Sequence, residues 1–192
     1  MDRDPADPLP PAFFPVSLNL VGRRCVVIGD DAEAIEKEAA LREVGADVLW
    51  IRDYTRVRDA DCVDAFFVLS TPRDAAFSAR LRALAEEHRF LFCAIDQPQY
   101  GFVAMAAIVA CGPARIAIST GGVAPRVGKV LRAAFQRALD ATFARFLQRL
   151  AADRLRNRRE LATVEERREA MIAAAEGFEV EVTVRYPEWF TD

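Results

Sequence analysis

An α/β fold organised on a parallel sheet is the architecture this sequence predicts, and three observations predict it. Apolar, β-branched runs alternate with amphipathic helical segments through the first half of the chain. The run CVVIG (Cys25 to Gly29) is continuously apolar, the pattern of a strand covered on both faces. From Pro125 onward the strand pattern gives way to helical periodicity. Alternation of strand and helix places helices on the faces of the sheet.

The elements follow in order. CVVIG is the first strand. AEAIEKEAALREVG (Ala32 to Gly45) is a helix with Ala32, Ile35 and Ala39 on one face, stopped by Gly45. ADVLWI (Ala46 to Ile51) and AFFVLST (Ala65 to Thr71) are the next two strands. DAAFSARLRALAEEHRF (Asp74 to Phe90) is a helix with Phe77, Leu81 and Leu84 on one stripe, and LFCAID (Leu91 to Asp96) is a strand. VAMAAIVACG (Val103 to Gly112) and ARIAIST (Ala114 to Thr120) read as an antiparallel pair. Between the second and third strands lies only Arg52 to Asp64, charged and without an apolar stripe, so a helix and strand of a full dinucleotide fold are expected to be trimmed here. The stretch from Arg126 to Ala162 is continuous helix. Its apolar face (Val127, Val130, Leu131, Ala134, Phe135, Ala138, Leu139, Thr142, Phe146) needs a partner, from the same chain or a second copy. A short helix ends at Gly177, and alternating Val180, Val182 and Val184 suggest a final strand.

Composition narrows the function classes. At 192 residues the chain suits one domain or one domain with an appendage, and 52% apolar content supplies a core. A net charge of −3 gives no global case for nucleic acid or an anionic membrane, and RLRNRRE (Arg154 to Glu160), flanked by acids, reads as a solvated helix face. Cys25, Cys62, Cys93 and Cys111 are dispersed, which implies free thiols in a reducing, cytoplasmic setting. One histidine, His88, and no ligand spacing argue against zinc. His88 reads as solvent-facing near a helix end, and Trp50 and Trp189 read as packing residues. No apolar stretch reaches the roughly 18 residues needed to cross a membrane. The acidic, Pro-rich residues 1–12 read as a loose tail.

Four places could carry chemistry. In Gly29-Asp30-Asp31-Ala32-Glu33-Ala34, Gly29 suits the tight turn of a dinucleotide fingerprint and Ala34 can replace its last glycine. Asp30 and Asp31 suit a helix N-terminus as caps, yet they repel a phosphate docking there. Asp53, about 20 residues on, is either the acid that meets an adenosine ribose or a surface aspartate. Asp96 closes an apolar strand where open α/β sheets bind ligands; it is either a general base or a turn residue before a proline. ISTGGVAP (Ile118 to Pro125) combines the hydroxyls of Ser119 and Thr120 with the free backbone of Gly121 and Gly122 ahead of a long helix, an arrangement suited to an anionic ligand or to capping.

The opening FFPVSLNLVGRRCVVIG, the ISTGG motif followed by a proline and Leu131-Arg132, the strand ending in Asp96, the AIV segment, Gly112-Pro113 and the arginine-rich helical tail resemble the precorrin-2 dehydrogenase and sirohydrochlorin ferrochelatase family, the front module of sirohaem synthase. The resemblance runs from about Phe13 to the C-terminal helices. It implies a homodimer with a Rossmann-like, here shortened, NAD-binding domain (13–112), a dimerisation segment (113–150) and a small helical C-terminal domain (151–192). It implies that NAD oxidises precorrin-2 to sirohydrochlorin, and that in many members the same cleft inserts Fe²⁺. It implies Asp96 as the catalytic group, Gly29, Asp30, Asp31, Ala32, Glu33, Asp53, Tyr54 and Thr71 on the cofactor side, and Ser119, Thr120, Gly121 and Gly122 on the substrate side. Two departures from the family pattern stand out: Asp30 and Asp31 replace glycines, and the stretch Arg52 to Asp64 is short. They leave open a chelatase or tetrapyrrole-binding protein without NAD, and a non-catalytic structural dimer.

Overall fold

The computed structural model describes residues 13–190; the expected N-terminal tail, residues 1–12, lies outside them. The order of elements is β1 (Arg24–Ile28), α1 (Ala32–Glu43), β2 (Asp47–Ile51), a 3-10 turn (Tyr54–Arg56), α2 (Asp59–Cys62), β3 (Phe67–Ser70), α3 (Ala75–His88), β4 (Leu91–Ala94), β5 (Ala107–Cys111), β6 (Ala114–Ile118), α4 (Pro125–Ala138), α5 (Ala141–Glu160) and α6 (Val164–Ala174). The chain divides into two units. One runs to Ala107 and resumes over Ala117–Val130; the other comprises Ile108–Ile116 and the chain from Leu131.

The first unit is a four-stranded parallel sheet in the order β2-β1-β3-β4. Val26 stands opposite Leu49 and Val68, and Val68 opposite Phe92. Period-two alternation sorts the side chains onto two faces. Val26, Ile28, Val68, Phe92 and Ala94 pack with Phe77, Leu81, Leu84 and Ala85 of α3. Cys25, Val27, Phe67, Leu69 and Cys93 pack on the other side with Ala34 and Leu41 of α1. Helices thus cover both faces, and the continuous apolar runs follow from that.

Three sequence expectations change in this unit and the helix that leaves it. The face of α1 is not Ala32, Ile35 and Ala39: Ile35 is 51% exposed, while Ala34 and Leu41 are buried. The Asp31 carboxylate accepts a hydrogen bond from the Ala34 amide at 2.8 Å, which fixes the first turn, and a methyl at position 34 permits close approach to the sheet. The crossover from β2 to β3 is also not apolar-poor in space. Val57, Cys62 and Ala65 enter the α3-side core through a 3-10 turn and a single helical turn, whose mixed periods conceal any stripe. The long helix is broken: α4 ends at Ala138, and Asp140 caps α5 by accepting from the Thr142 and Phe143 amides at 2.8 and 3.0 Å. A side-chain cap competes with helix continuation even where periodicity runs on.

In the second unit, β5 and β6 pair across Gly112 and Pro113; a two-residue connection makes them antiparallel, as expected. Gln136 bonds both the amide and the carbonyl of Ala110, and Arg132 Nε donates to the Ile108 carbonyl at 3.0 Å. α5 and α6 close on Phe178, which stacks on Phe143 and Phe146. The expected final strand is absent: residues 178–190 form no strand, and Val180, Val182 and Val184 are exposed. Trp189 touches Phe190 but is 80% exposed, so it is not a core residue.

Candidate functional site

In the order β2-β1-β3-β4 the chain moves outward in one direction after β1 and in the other from β3. The reversal lies between β1 and β3, and ligands of such sheets bind at the carboxyl ends of the strands beside that reversal. Gly29 and Thr71 occupy these two ends. Gly29 has φ 126°, and a Cβ on it would stand 2.1 Å from Thr71 Oγ1, so only glycine fits. The Gly29 amide donates to the Ile51 carbonyl (3.0 Å), its carbonyl accepts from the Trp50 indole Nε1 (2.7 Å), and the Thr71 amide donates to Ile28 (3.0 Å). These bonds prolong the ladder past the strands and hold the departing loops on one rigid edge.

Asp30 is exposed, and Asp31 caps α1. The cap satisfies the Ala34 amide, which leaves the Ala32 and Glu33 amides of the first turn open at the positive end of the helix. Glu33 pairs with Lys37 at 3.9 Å. At the end of β2, Asp53 accepts from the Thr55 amide (3.1 Å) and hydroxyl (2.6 Å) and pairs with Arg56 Nε (3.1 Å). The Thr55 hydrogen bonds, with Arg56 beside them, hold its carboxyl below the usual carboxylate range. Arg52 lies over the Trp50 ring, its Cζ 4.2 Å from the centroid. Tyr54 packs edge-on against Phe77 and lines an open depression of about 610 Å³ with Pro72, Arg73, Asp74 and Ala75.

Asp96 follows β4 in a left-handed turn, φ 57°, a conformation aspartate tolerates better than most residues. Arg73, from the loop after β3, pairs with its carboxylate. Buried Gln97 donates from Nε2 to the Pro72 carbonyl at 3.3 Å, tying the same two loops together. Ser119 to Gly122 form a separate turn: the Gly121 amide donates to Ser119 Oγ at 3.2 Å, and Gly121 and Gly122 have φ 61° and 79°. No hydrogen bond joins this turn to Asp96 or Gly29 among the described residues. The sequence reading missed Arg73, Gln97 and the Trp50–Arg52 stack. A cation at the end of one strand, opposite a carboxylate at the end of its neighbour, was the available signal.

Among the described residues, no cluster of three or more His, Cys, Asp or Glu could hold a metal, and no helix is long and apolar enough to cross a membrane. Cys25 and Cys93 are buried free thiols, as expected, and Cys62 is buried with them. His88 is exposed at the end of α3, as expected, beside Glu87.

A glycine turn from a central parallel strand into a helix, at a topological switch point, defines the dinucleotide-binding class of α/β domain. Residues 16–107 match the family model described as "Putative NAD(P)-binding". The chain is similar to sirohaem synthase of Gluconacetobacter diazotrophicus, 31% identical over 74% of this chain and 36% of the relative, and of Nitrosococcus oceani, 24% identical over 81% and 37%. It thus spans little more than a third of these relatives. Its fold matches the solved structure of SirC, precorrin-2 dehydrogenase, with TM-score 0.69 and 18% identity, over 86% of this chain and 90% of that one. Over most of its length the chain is thus similar to part of sirohaem synthase, and its fold is that of the SirC structure.

Proposed function

We propose that the chain is a nicotinamide-dependent precorrin-2 dehydrogenase of sirohaem synthesis. The observation that carries the reading is the pairing of Asp96 with Arg73 beside the switch point, in a chain whose relatives are named sirohaem synthase. The residues fit a nicotinamide dinucleotide. Gly29 supplies the turn, fully buried Ala34 the close packing of helix on strand, the Ala32 and Glu33 amides donors toward the pyrophosphate, and Tyr54 with the loop after β3 an open wall. When bound, the cofactor accepts the hydride equivalent that the substrate loses.

The chain's own groups handle the rest. Oxidation of precorrin-2 to sirohydrochlorin removes one hydride and one proton, and Asp96 takes the proton. Arg73 orients the Asp96 carboxylate. Ser119, Thr120, Gly121 and Gly122 present a hydroxyl pair and flexible amides to the acidic side chains of the tetrapyrrole. The exposed Val123, Val127 and Val130 fit a second copy of the chain in a homodimer.

Asp96→Asn tests the assignment. Asparagine also tolerates φ near +57°, so the turn survives while the base is removed. Turnover of precorrin-2 should fall by about 10²-fold or more, with an unchanged circular dichroism spectrum. Wild-type turnover in the variant would sink the reading.

Asp30 and Asp31 favour a second reading, a sirohydrochlorin ferrochelatase without a dinucleotide. Without a metal-ligand cluster, the macrocycle nitrogens would hold Fe²⁺ as substrate and Asp96 would take their protons. Calorimetry separates the two, since this reading requires sirohydrochlorin to bind and nicotinamide dinucleotides not to.

A further inference from the structure

We infer that Arg52 makes the cofactor site selective for the dinucleotide that carries a 2′-phosphate, NADP over NAD; the inference rests on reading the Gly29 switch point as a dinucleotide site. In this fold the segment about 20 residues beyond the glycine turn, at the end of the second strand, meets the adenosine ribose. A carboxylate there accepts from the ribose 2′-hydroxyl, and an arginine accommodates a 2′-phosphate. Here that segment is Arg52-Asp53, and the structure treats its two residues differently.

Asp53 is committed to its own turn. One carboxylate oxygen takes the Thr55 amide and hydroxyl, and the other pairs with Arg56. Turning toward a ribose would uncap the 3-10 turn that begins the crossover. Arg52 is uncommitted: it is exposed, and among the described residues it makes neither an ion pair nor a hydrogen bond. Its guanidinium rests on Trp50, whose indole N–H is fixed to the Gly29 carbonyl. Gly29, Trp50 and Arg52 therefore form one contact chain from the glycine turn to a free cation. Stacking on the ring leaves the in-plane N–H donors open, and their fork matches phosphate geometry.

Asp30 and Asp31 do not offset this preference. They lie where the pyrophosphate docks, and the pyrophosphate is common to both dinucleotides. Their repulsion lowers both affinities and largely cancels in the ratio. The 2′-phosphate is the group that differs, and Arg52 is placed to meet it.

Isothermal titration of the full chain with NADP⁺, NAD⁺, adenosine 2′,5′-bisphosphate and 5′-AMP tests this. NADP⁺ should bind about tenfold or more tighter than NAD⁺, and the bisphosphate tighter than 5′-AMP, as expected for a charge-assisted phosphate contact. Arg52→Gln should bring the NADP⁺/NAD⁺ ratio to within about twofold, Arg52→Lys should leave it intermediate, and Asp53→Asn should preserve it. Thermal midpoints confirm that each variant is folded. NAD⁺ binding as tightly as NADP⁺, or a ratio that survives Arg52→Gln, overturns the selectivity and leaves the dinucleotide site standing. Absence of binding by either dinucleotide overturns both.

Discussion

Strand β1 and the tail from Val180 to Val184 are both valine-rich, yet one becomes the centre of a sheet and the other forms no strand. β1 has β2 on one side and β3 on the other, and Cys25 to Ile28 are wholly buried beneath helices on both faces. The tail interleaves its valines with Glu179, Glu181 and Thr183, has no pairing partner among the described residues, and leaves Val182 63% exposed. β-propensity measures fit to a surface that must already exist. The sheet builds such a surface from its own helices; the tail has none within the chain described here.

The largest effect is expected where the sheet is tightest. Gly29→Ala places a methyl against Thr71 and forces a left-handed backbone on a residue with a Cβ. The cost is on the order of 3 kcal/mol. It should appear as a lower urea midpoint with little change in slope. An unchanged midpoint would mean that the β1 and β3 ends are looser than their geometry indicates.

The same contrast explains what could be read in advance. Strands β1, β3 and β4 were legible because burial on both faces produces unbroken apolar runs. The α3 stripe was legible because Phe77, Leu81 and Leu84 repeat at helical spacing with no competing signal. The face of α1 was not, since a small residue, Ala34, is what the sheet selects, and hydrophobicity pointed to Ile35. Val57 and Cys62 were missed because two short helical types carry them. At the site, positions set by local chemistry were legible: Gly29 at a strand end, Asp31 as a cap, Asp96 closing a strand. Arg73 with Asp96, and Arg52 on Trp50 against Gly29, were not. Those partnerships depend on sheet order, which places β1 between β2 and β3.

A smaller effect comes from thiols sealed in that sheet. Burial pushes Cys93 up to about 12 and, joined by nearby acids, pushes Cys25 and Cys62 up to about 11. In the unfolded chain a thiol titrates near 9.0. Above that pH the unfolded state binds fewer protons than the folded state, so stability falls as pH rises from about 9 toward 12. Cys93→Ala should reduce the loss of stability between pH 8 and pH 10 by an amount on the order of 1 kcal/mol. Any packing cost of the substitution is common to both pH values and drops out of the difference. An unaltered decline would mean that water reaches the inner face of β4.

The smallest effect belongs to the tail and bears most directly on the contrast with β1. Val182→Ala removes two methyl groups that are largely in water already, so unfolding free energy should change by less than about 0.5 kcal/mol. The measurement is informative at two protein concentrations. If the change stays small at both, the tail is uncovered and its alternation has no structural consequence. A loss of about 1 kcal/mol or more that grows with concentration would mean that another copy supplies the surface the tail lacks within its own chain. The alternating valines would then be a strand pattern whose partner lies on a second molecule, and the difference from β1 would be one of where the neighbours come from.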